Sequence, residues 1–275
     1  MPAIRSILLH LDAAGASGAR LALARALAQR HGARLTAVFG VQPDTARAAF
    51  AYSAGAALRA VEEGDATQWG QERDRLRDLC AAGEPDCRWC EVVGDTVTHG
   101  FLAEAAYADL LMLGVPFDAE PAGHAPPGFV ESVILESGTP AIVVPDRHRV
   151  QTIGQRILVA WNGSPPATRA LHAALPLMAL AAEVHVASWG AHPPAAPYSR
   201  LDLAEWLLRH GIACRTHSRA PSSRVAEELG AMAADLQADL VVMGCYGHTR
   251  LRERVFGGVT RSSLATLKVP LLMAH

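Results

Sequence analysis

One stretch of the chain spaces its residues as a ligand loop would. It reads Gly244-Cys245-Tyr246-Gly247, then nine residues, then Gly257-Gly258-Val259-Thr260, directly after the apolar run Leu240 to Met243. Glycines there admit positive φ and let a ligand approach the backbone with no Cβ in the way. A helix opening at Gly257 or Gly258 leaves its first N–H groups unpaired at the positive end of its dipole, which favours an anion. Thr260 adds a hydroxyl donor, and His248, next to Gly247, is within sequence reach of the same ligand. The chemistry is phosphate binding, without bond breaking. The spacing alone is equally compatible with turns and helix caps.

The elements that must hold this loop come from an internal repeat. Ile7-Leu8-Leu9-His10-Leu11-Asp12 corresponds to Ile157-Leu158-Val159-Ala160-Trp161-Asn162, an offset of 150. Ala108 to Gly114 corresponds to Ala238 to Gly244, and Thr139 to Val144 to Val269 to Ala274, both at an offset of 130. Twenty residues are therefore lost from the second copy, mostly around its second helix: about Glu62 to Ala82 in copy one, about Ser199 to His210 in copy two. Two domains of common ancestry are expected, over residues 1–146 and 153–275, with a linker near Pro145 to Gly154. In the second, strands are expected at 156–161, 183–189, 212–217, 239–243 and 270–274. Helices fall between them at 165–182, 199–210, 222–236 and 258–267. This alternation implies a parallel sheet covered by helices on both faces, joined by right-handed crossovers.

Because the copies align without gaps from Gly114/Gly244 to Pro140/Pro270, their loops compare slot by slot. Gly247 faces Phe117, Gly257 faces Pro127, Thr260 faces Val130 and Arg261 faces Glu131; only Gly258 has a glycine partner, Gly128. Copy one makes its turns without those glycines. It also adds a bulky ring, a residue with no N–H donor, and the carboxylates Asp118, Glu120 and Glu131. A phosphate is expected in copy two alone. If strand 156–161 neighbours strand 239–243, the loop Asn162-Gly163-Ser164 faces the glycine loop across one crevice, where open parallel sheets bind ligands.

At this loop the chain resembles the universal stress protein family, whose nucleotide-binding members carry Gly-x2-Gly-x9-Gly-Ser/Thr after the fourth strand. The resemblance is strong over 153–275 and fainter over 3–146, and it looks close to tandem bacterial members. It implies two similar α/β domains, each a five-stranded parallel sheet of order 3-2-1-4-5 sandwiched by helices, in the manner of adenine nucleotide alpha hydrolases. It also implies pairing of the last strands, 141–144 against 271–274, as an internal pseudo-dimer, with a homodimer left open. The implied ligand is ATP or another adenine nucleotide, with or without Mg²⁺. Gly244, Gly247, Gly257 and Gly258 would form the phosphate and ribose loop, with Met243 also among the cofactor-binding residues. Val259 and Thr260 would touch phosphate, and Ala160, Trp161 and Asn162 would approach the adenosine. Gly258 stands where the family has Ser/Thr, and Asn162 where many members have Asp. The implied role is a nucleotide-dependent switch in stress response. The alternatives are a nucleotide-independent scaffold and a weak ATPase.

Composition narrows the rest. Net charge is −2 with 19% charged residues, which gives no basic surface for nucleic acid. No run approaches the roughly 20 apolar residues of a membrane span, and the start carries no signal-peptide pattern. Five cysteines, an odd number in a large chain, do not read as a disulfide framework; a cytoplasmic protein is expected. Cys87 and Cys90 fall three apart on a strand, hence on opposite faces, and no second pair completes a zinc site. Arg250, Arg252 and Arg254 read as a solvated basic loop, and Trp161 as either an adenine platform or a packed rim residue. Glu253 is the one carboxylate near the glycines, thin support for a Mg²⁺-dependent enzyme.

Overall fold

The computed structural model describes residues 3–13, 16–41, 56–93, 97–115, 125, 128–146, 148, 150–190, 202–245 and 258–275, without the side chains of 41, 56–68, 93, 258 and 265. Two compact units form: residues 5–137, and residues 138–275 with 1–4.

The first unit runs β1 (Ser6–Leu11), α1 (Ser17–His31), β2 (Arg34–Val41), α2 (Ala56–Ala81), β3 (Cys87–Val93), α3 (Val97–Ala105), β4 (Leu110–Val115) and α4 (Phe129–Glu136). Its parallel strands lie in the order β3-β2-β1-β4. Every residue of β1 after Ser6 is buried, as expected of a strand covered by helices on both faces. α1 stops where Gly32 takes φ 60° and donates to the carbonyl of Gln29, a left-handed C-cap that a glycine adopts without Cβ strain.

The second unit begins with the last strand of the first repeat, β5 (Ala141–Pro145). It continues β6 (Arg156–Ala160), α5 (Pro165–Met178), β7 (Glu183–Trp189), α6 (Leu203–Arg209), β8 (Arg215–Arg219), α7 (Val225–Asp235), β9 (Leu240–Gly244), α8 (Gly258–Thr266) and β10 (Leu271–Ala274). The second repeat has the strand order β8-β7-β6-β9-β10, the expected 3-2-1-4-5. β5 lies antiparallel on β10, with Leu271 opposite Val143 and Met273 opposite Ala141. That pairing satisfies both strands' backbone groups, which would otherwise be open sheet edges. It also explains why the compact units divide at Ser137/Gly138, whereas the sequence repeat divides after β5.

Several elements differ from their sequence-based limits: α2 begins at Ala56, ahead of about 62, α6 at Leu203, after 199, and α7 at Val225, after 222. α5 ends at Met178, short of 182, because the N–H groups of Ala182 and Glu183 are taken by the carbonyl of Gln155 ahead of β6. The third strand lies at Arg215–Arg219, displaced from 212–217. Ile212, its expected first residue, instead donates to the carbonyl of Leu207 and is buried, closing the end of α6 behind Gly211 at φ 77°. The apolar residue after a helix-ending glycine belongs to the helix cap. No helix among the described residues is long and apolar enough to cross a membrane.

Each repeat fastens its first strand with one carboxylate. Asp239 accepts from the backbone N–H groups of Gly154, Gln155 and Arg156 at 2.9–3.0 Å, and from the Thr152 hydroxyl at 2.8 Å. Asp109 does the same for Arg5 and Ser6 at 2.8 and 2.9 Å.

Candidate functional site

β6 and β9 are direct neighbours, with Ala160 opposite Met243. The carboxyl ends of both strands therefore lie side by side, with the Asn162-Gly163-Ser164 turn leaving the end of β6. The turn is built locally. The Asn162 side-chain oxygen accepts from the Ser164 N–H at 3.1 Å, and Gly163 takes φ 70°. Ser164 then caps α5 by accepting from the Ala167 N–H at 3.3 Å, with Pro165 in the first helical position, where its missing N–H costs nothing. Asn162 and Gly163 are exposed; Ala160 and Trp161 are half-buried.

Gly244 closes β9 beside this turn. A Cβ there would lie 2.3 Å from the Ala167 nitrogen and 2.5 Å from the Pro166 carbonyl carbon. The start of α5 thus packs backbone to backbone on the end of β9. This gives Gly244 a packing role, whatever it does for a ligand. Met243 is buried in the sheet. In the first turn of α8, Thr260 is buried at 5% exposure and Val259 is 40% exposed. Gly258 begins that helix. Gly247, His248 and Gly257 lie outside the described residues, as do the arginines of that loop and Phe117, Asp118, Glu120 and Pro127 of the first repeat.

The first unit shows what the same framework becomes when it is filled. Burial along α1 matches that along α5 at an offset of 150: Ser17, Arg20, Leu21, Ala24, Leu27 and Ala28 correspond to Ala167, Ala170, Leu171, Ala174, Leu177 and Met178. At the Ala170 position stands Arg20, 1% exposed. Its guanidinium lies over Gly114, where a Cβ would come 1.1 Å from Nη1. Arg20 donates to Asp12 at 2.9 Å and to the Ser17 hydroxyl at 2.8 Å, and Ser17 donates to Asp12 at 2.6 Å. Beside them His10, at the Ala160 position, packs on Phe129 (centroids 4.4 Å apart) and edge-on to Phe101 (5.7 Å). Phe129 occupies the slot of Val259. Gly128, the one glycine shared between the two loops, sits at φ 78° before α4, a left-handed conformation that the fold itself requires.

Sequence reading missed this filling, although the signal was present. Aligned at the offset of 150, Arg20, Ser17 and His10 stand against Ala170, Ala167 and Ala160. It also missed a cluster at the carboxyl end of β7. There Trp189 Nε1 donates to Glu228 at 2.6 Å and the Ser222 hydroxyl donates to the other carboxylate oxygen. The Ser222 bond and the Trp189 bond hold the Glu228 carboxyl below its ordinary range. No group of three or more His, Cys, Asp or Glu able to hold a metal ion occurs among the described residues.

The parallel order 3-2-1-4-5, with the first and fourth strands of the second repeat side by side, defines a doubly wound α/β class whose members bind ligands beyond the carboxyl ends of the strands. Residues 154–275 match the model of the universal stress protein family. The second repeat thus carries the sequence signature of that family. Over 98% of this chain and 95% of the other, the structure is similar to that of a universal stress protein from Archaeoglobus fulgidus, with a TM-score of 0.72 at 15% identity. A functionally unknown protein from Pseudomonas aeruginosa is similar over 99% of this chain and 92% of its own, with a TM-score of 0.64 at 16% identity. A universal stress protein in complex with cAMP aligns with 44% of this chain and 96% of its own, at 26% identity and a TM-score of 0.34. No curated protein matches the chain.

Proposed function

We propose that the second repeat, 153–275, binds an adenine nucleotide, ATP first, and that the chain acts as a nucleotide-dependent switch in stress response in the cytoplasm. The first repeat, 1–146, serves as a partner domain that binds none. One observation carries this reading. Equivalent positions that hold Arg20, His10 and Phe129 in the first unit hold Ala170, Ala160 and Val259 in the second. Three large side chains that fill one crevice are absent from its twin, where Asn162 and Gly163 are exposed.

In this reading Ala160, Trp161 and Asn162 face the adenosine. The glycines 244, 247, 257 and 258 line the phosphate path with His248. The free N–H groups at the start of α8 neutralise the phosphates, and the relation of Phe129 to His10 would set Val259 over Ala160. Thr260 is buried before any ligand arrives, so backbone donors carry more of the load than its hydroxyl. Asn162 brings no charge for a metal, so Mg²⁺ would arrive on the phosphates. A dedicated hydrolase would need acid–base groups beside the phosphates, and among the described crevice residues none is a carboxylate.

The test is to denature purified full-length protein and identify any released nucleotide. Thermal melts with ATP, ATP plus Mg²⁺, GTP and cAMP follow. A rise in Tm with ATP that exceeds the others is expected; a ligand at a hundred times its Kd adds about 2.7 kcal/mol. Gly247→Phe, which copies the first repeat, should abolish the rise. No released nucleotide together with no rise would overturn the proposal in favour of a nucleotide-independent scaffold, and sustained multiple turnover would favour an ATPase.

A further inference from the structure

Sequence spacing set Cys87 beside Cys90, but folding gives Cys87 a different neighbour. Cys87 on β3 and Cys80 in the last turn of α2 place their sulfurs 3.6 Å apart, with the Cys87 thiol donating to Cys80. Both are buried, at 5% and 1% exposure. Arg25 of α1 braces the same turn, with Nη2 2.8 Å from the Leu79 carbonyl oxygen and 2.7 Å from that of Cys80. The guanidinium also lies against Gly83, where a Cβ would come 1.3 Å from Nη1. Their chain neighbours Ala81, Ala82, Glu84 and Asp86 are exposed, so the pair is joined by a surface-facing segment.

We propose that Cys80 and Cys87 form a reversible dithiol–disulfide pair responsive to hydroperoxides, with Cys80 the attacking sulfur and Cys87 the resolving one. A disulfide needs the sulfurs at about 2.05 Å, so about 1.5 Å must be closed, within reach of side-chain rotation. The Cys80 thiolate attacks one oxygen of the hydroperoxide. The O–O bond breaks, Cys80 becomes a sulfenic acid, and the departing hydroxide (an alcohol, for an organic hydroperoxide) takes up a proton. The Cys87 thiol then loses its proton and its sulfur attacks the Cys80 sulfur. The S–S bond forms, the S–O bond breaks, and hydroxide leaves as water with that proton. Two thiols are oxidised and one peroxide is reduced. A thiol reductant reverses the change by exchange.

The order of attack follows the surroundings. The hydrogen bond from Cys87, with Arg25 adding to it against the cost of burial, holds the Cys80 thiol below its ordinary range. The same bond and burial push Cys87 up. Burial also pushes up Cys90, Cys214 and Cys245, so Cys80 is the thiol whose surroundings favour the thiolate.

The experiment treats the full-length reduced protein with hydrogen peroxide, alkylates it in denaturant, and digests it. Trypsin cleaves after Arg77 and Arg88 and leaves both cysteines in one peptide. That peptide should appear unalkylated and two hydrogens lighter, with its halves still joined after cleavage before Asp86, and dithiothreitol should restore it. Two of the five thiols should be lost. Five surviving thiols, a bridge to another cysteine, or sulfinic acid without a bridge would overturn the proposal. In Cys87→Ser, a 1,3-dione reagent should trap sulfenic acid on Cys80. If Cys80→Ser leaves Cys87 oxidising as fast as in wild type, the assigned order is wrong. The wild-type mapping decides the pairing even if a variant fails to fold.

Discussion

Arg20 Nη2 sits 2.9 Å from Asp12 Oδ1, and the two side chains are 2% and 9% exposed. This buried ion pair stands at the positions of Ala170 and Asn162 in the second repeat. It is the clearest physical difference between two units that share one strand order. Removing the cation alone strands a buried carboxylate, which typically costs about 3–5 kcal/mol. Arg20→Ala should therefore lower the urea midpoint of the full chain strongly. Asp12→Asn added to Arg20→Ala, which copies the second repeat, should recover part of that loss. Equal midpoints for the single and double variants would mean that Asp12 is not held by Arg20.

Gly244 and Gly70 test two different uses of glycine. A Cβ at Gly244 meets the backbone of Pro166 and Ala167, whereas one at Gly70 in α2 meets nothing within 4 Å. Gly244→Ala should destabilise by about 1–3 kcal/mol through forced displacement of α5. Gly70→Ala should stabilise by about 1 kcal/mol through helix propensity. Thermal melts give both signs. Any loss of ligand binding in Gly244→Ala must be read with this packing effect in mind.

The two strand-fastening aspartates should differ in weight. Asp239 holds three backbone N–H groups and a hydroxyl and is 7% exposed; Asp109 holds two N–H groups at an exposed site. Hydrogen bonds to a charged group contribute about 1.5–3 kcal/mol each and are not additive. Asp239→Ala should cost more than Asp109→Ala. Hydrogen exchange should speed up at the amides of 154–156 in the first variant and at those of 5–6 in the second.

Acid should weaken the fold before the carboxylates titrate. His217 on β8 stacks on His185 of β7, with ring nitrogens 3.0 Å apart, and His185 in turn meets Glu183 at 3.3 Å. Burial, then His185, Arg219 and Arg215, lower the His217 pKa from 6.5. Burial, then Arg30, lower that of His31. A histidine whose folded pKa lies below its unfolded value binds its proton more tightly when unfolded. Stability is then full above about pH 6.5 and falls as pH drops through that value toward the folded pKa. Urea midpoints from pH 7.5 to 5 should decline, and His31→Gln with His217→Gln should flatten the curve. A wild-type midpoint that rises toward pH 5 would contradict the assignment.

Much of this was written in linear order. Alternating apolar runs and helical stripes, twice over at offsets of 150 and 130, define two parallel α/β units, because strand and helix periodicities are local properties of the chain. The pairing of 141–144 with 271–274, and the neighbouring of β6 and β9, followed from the family resemblance and are present. Strand limits near 212 were misplaced because one apolar residue, Ile212, serves a helix cap as readily as a strand.

What depended on folding were the relations between residues far apart in the chain. An arginine inside the apolar stripe of α1 gives no sign that it lies over Gly114. Gly244 looks like a loop glycine until the backbone of α5 is seen against it. Cys87 takes Cys80, not Cys90, because a strand turns residues three apart to opposite faces while the preceding helix ends beneath one of them. Local periodicity decides which elements form and which face they bury. Steric fit and charge pairing decide what fills the space between elements, and those depend on distances that exist only once the chain has closed on itself.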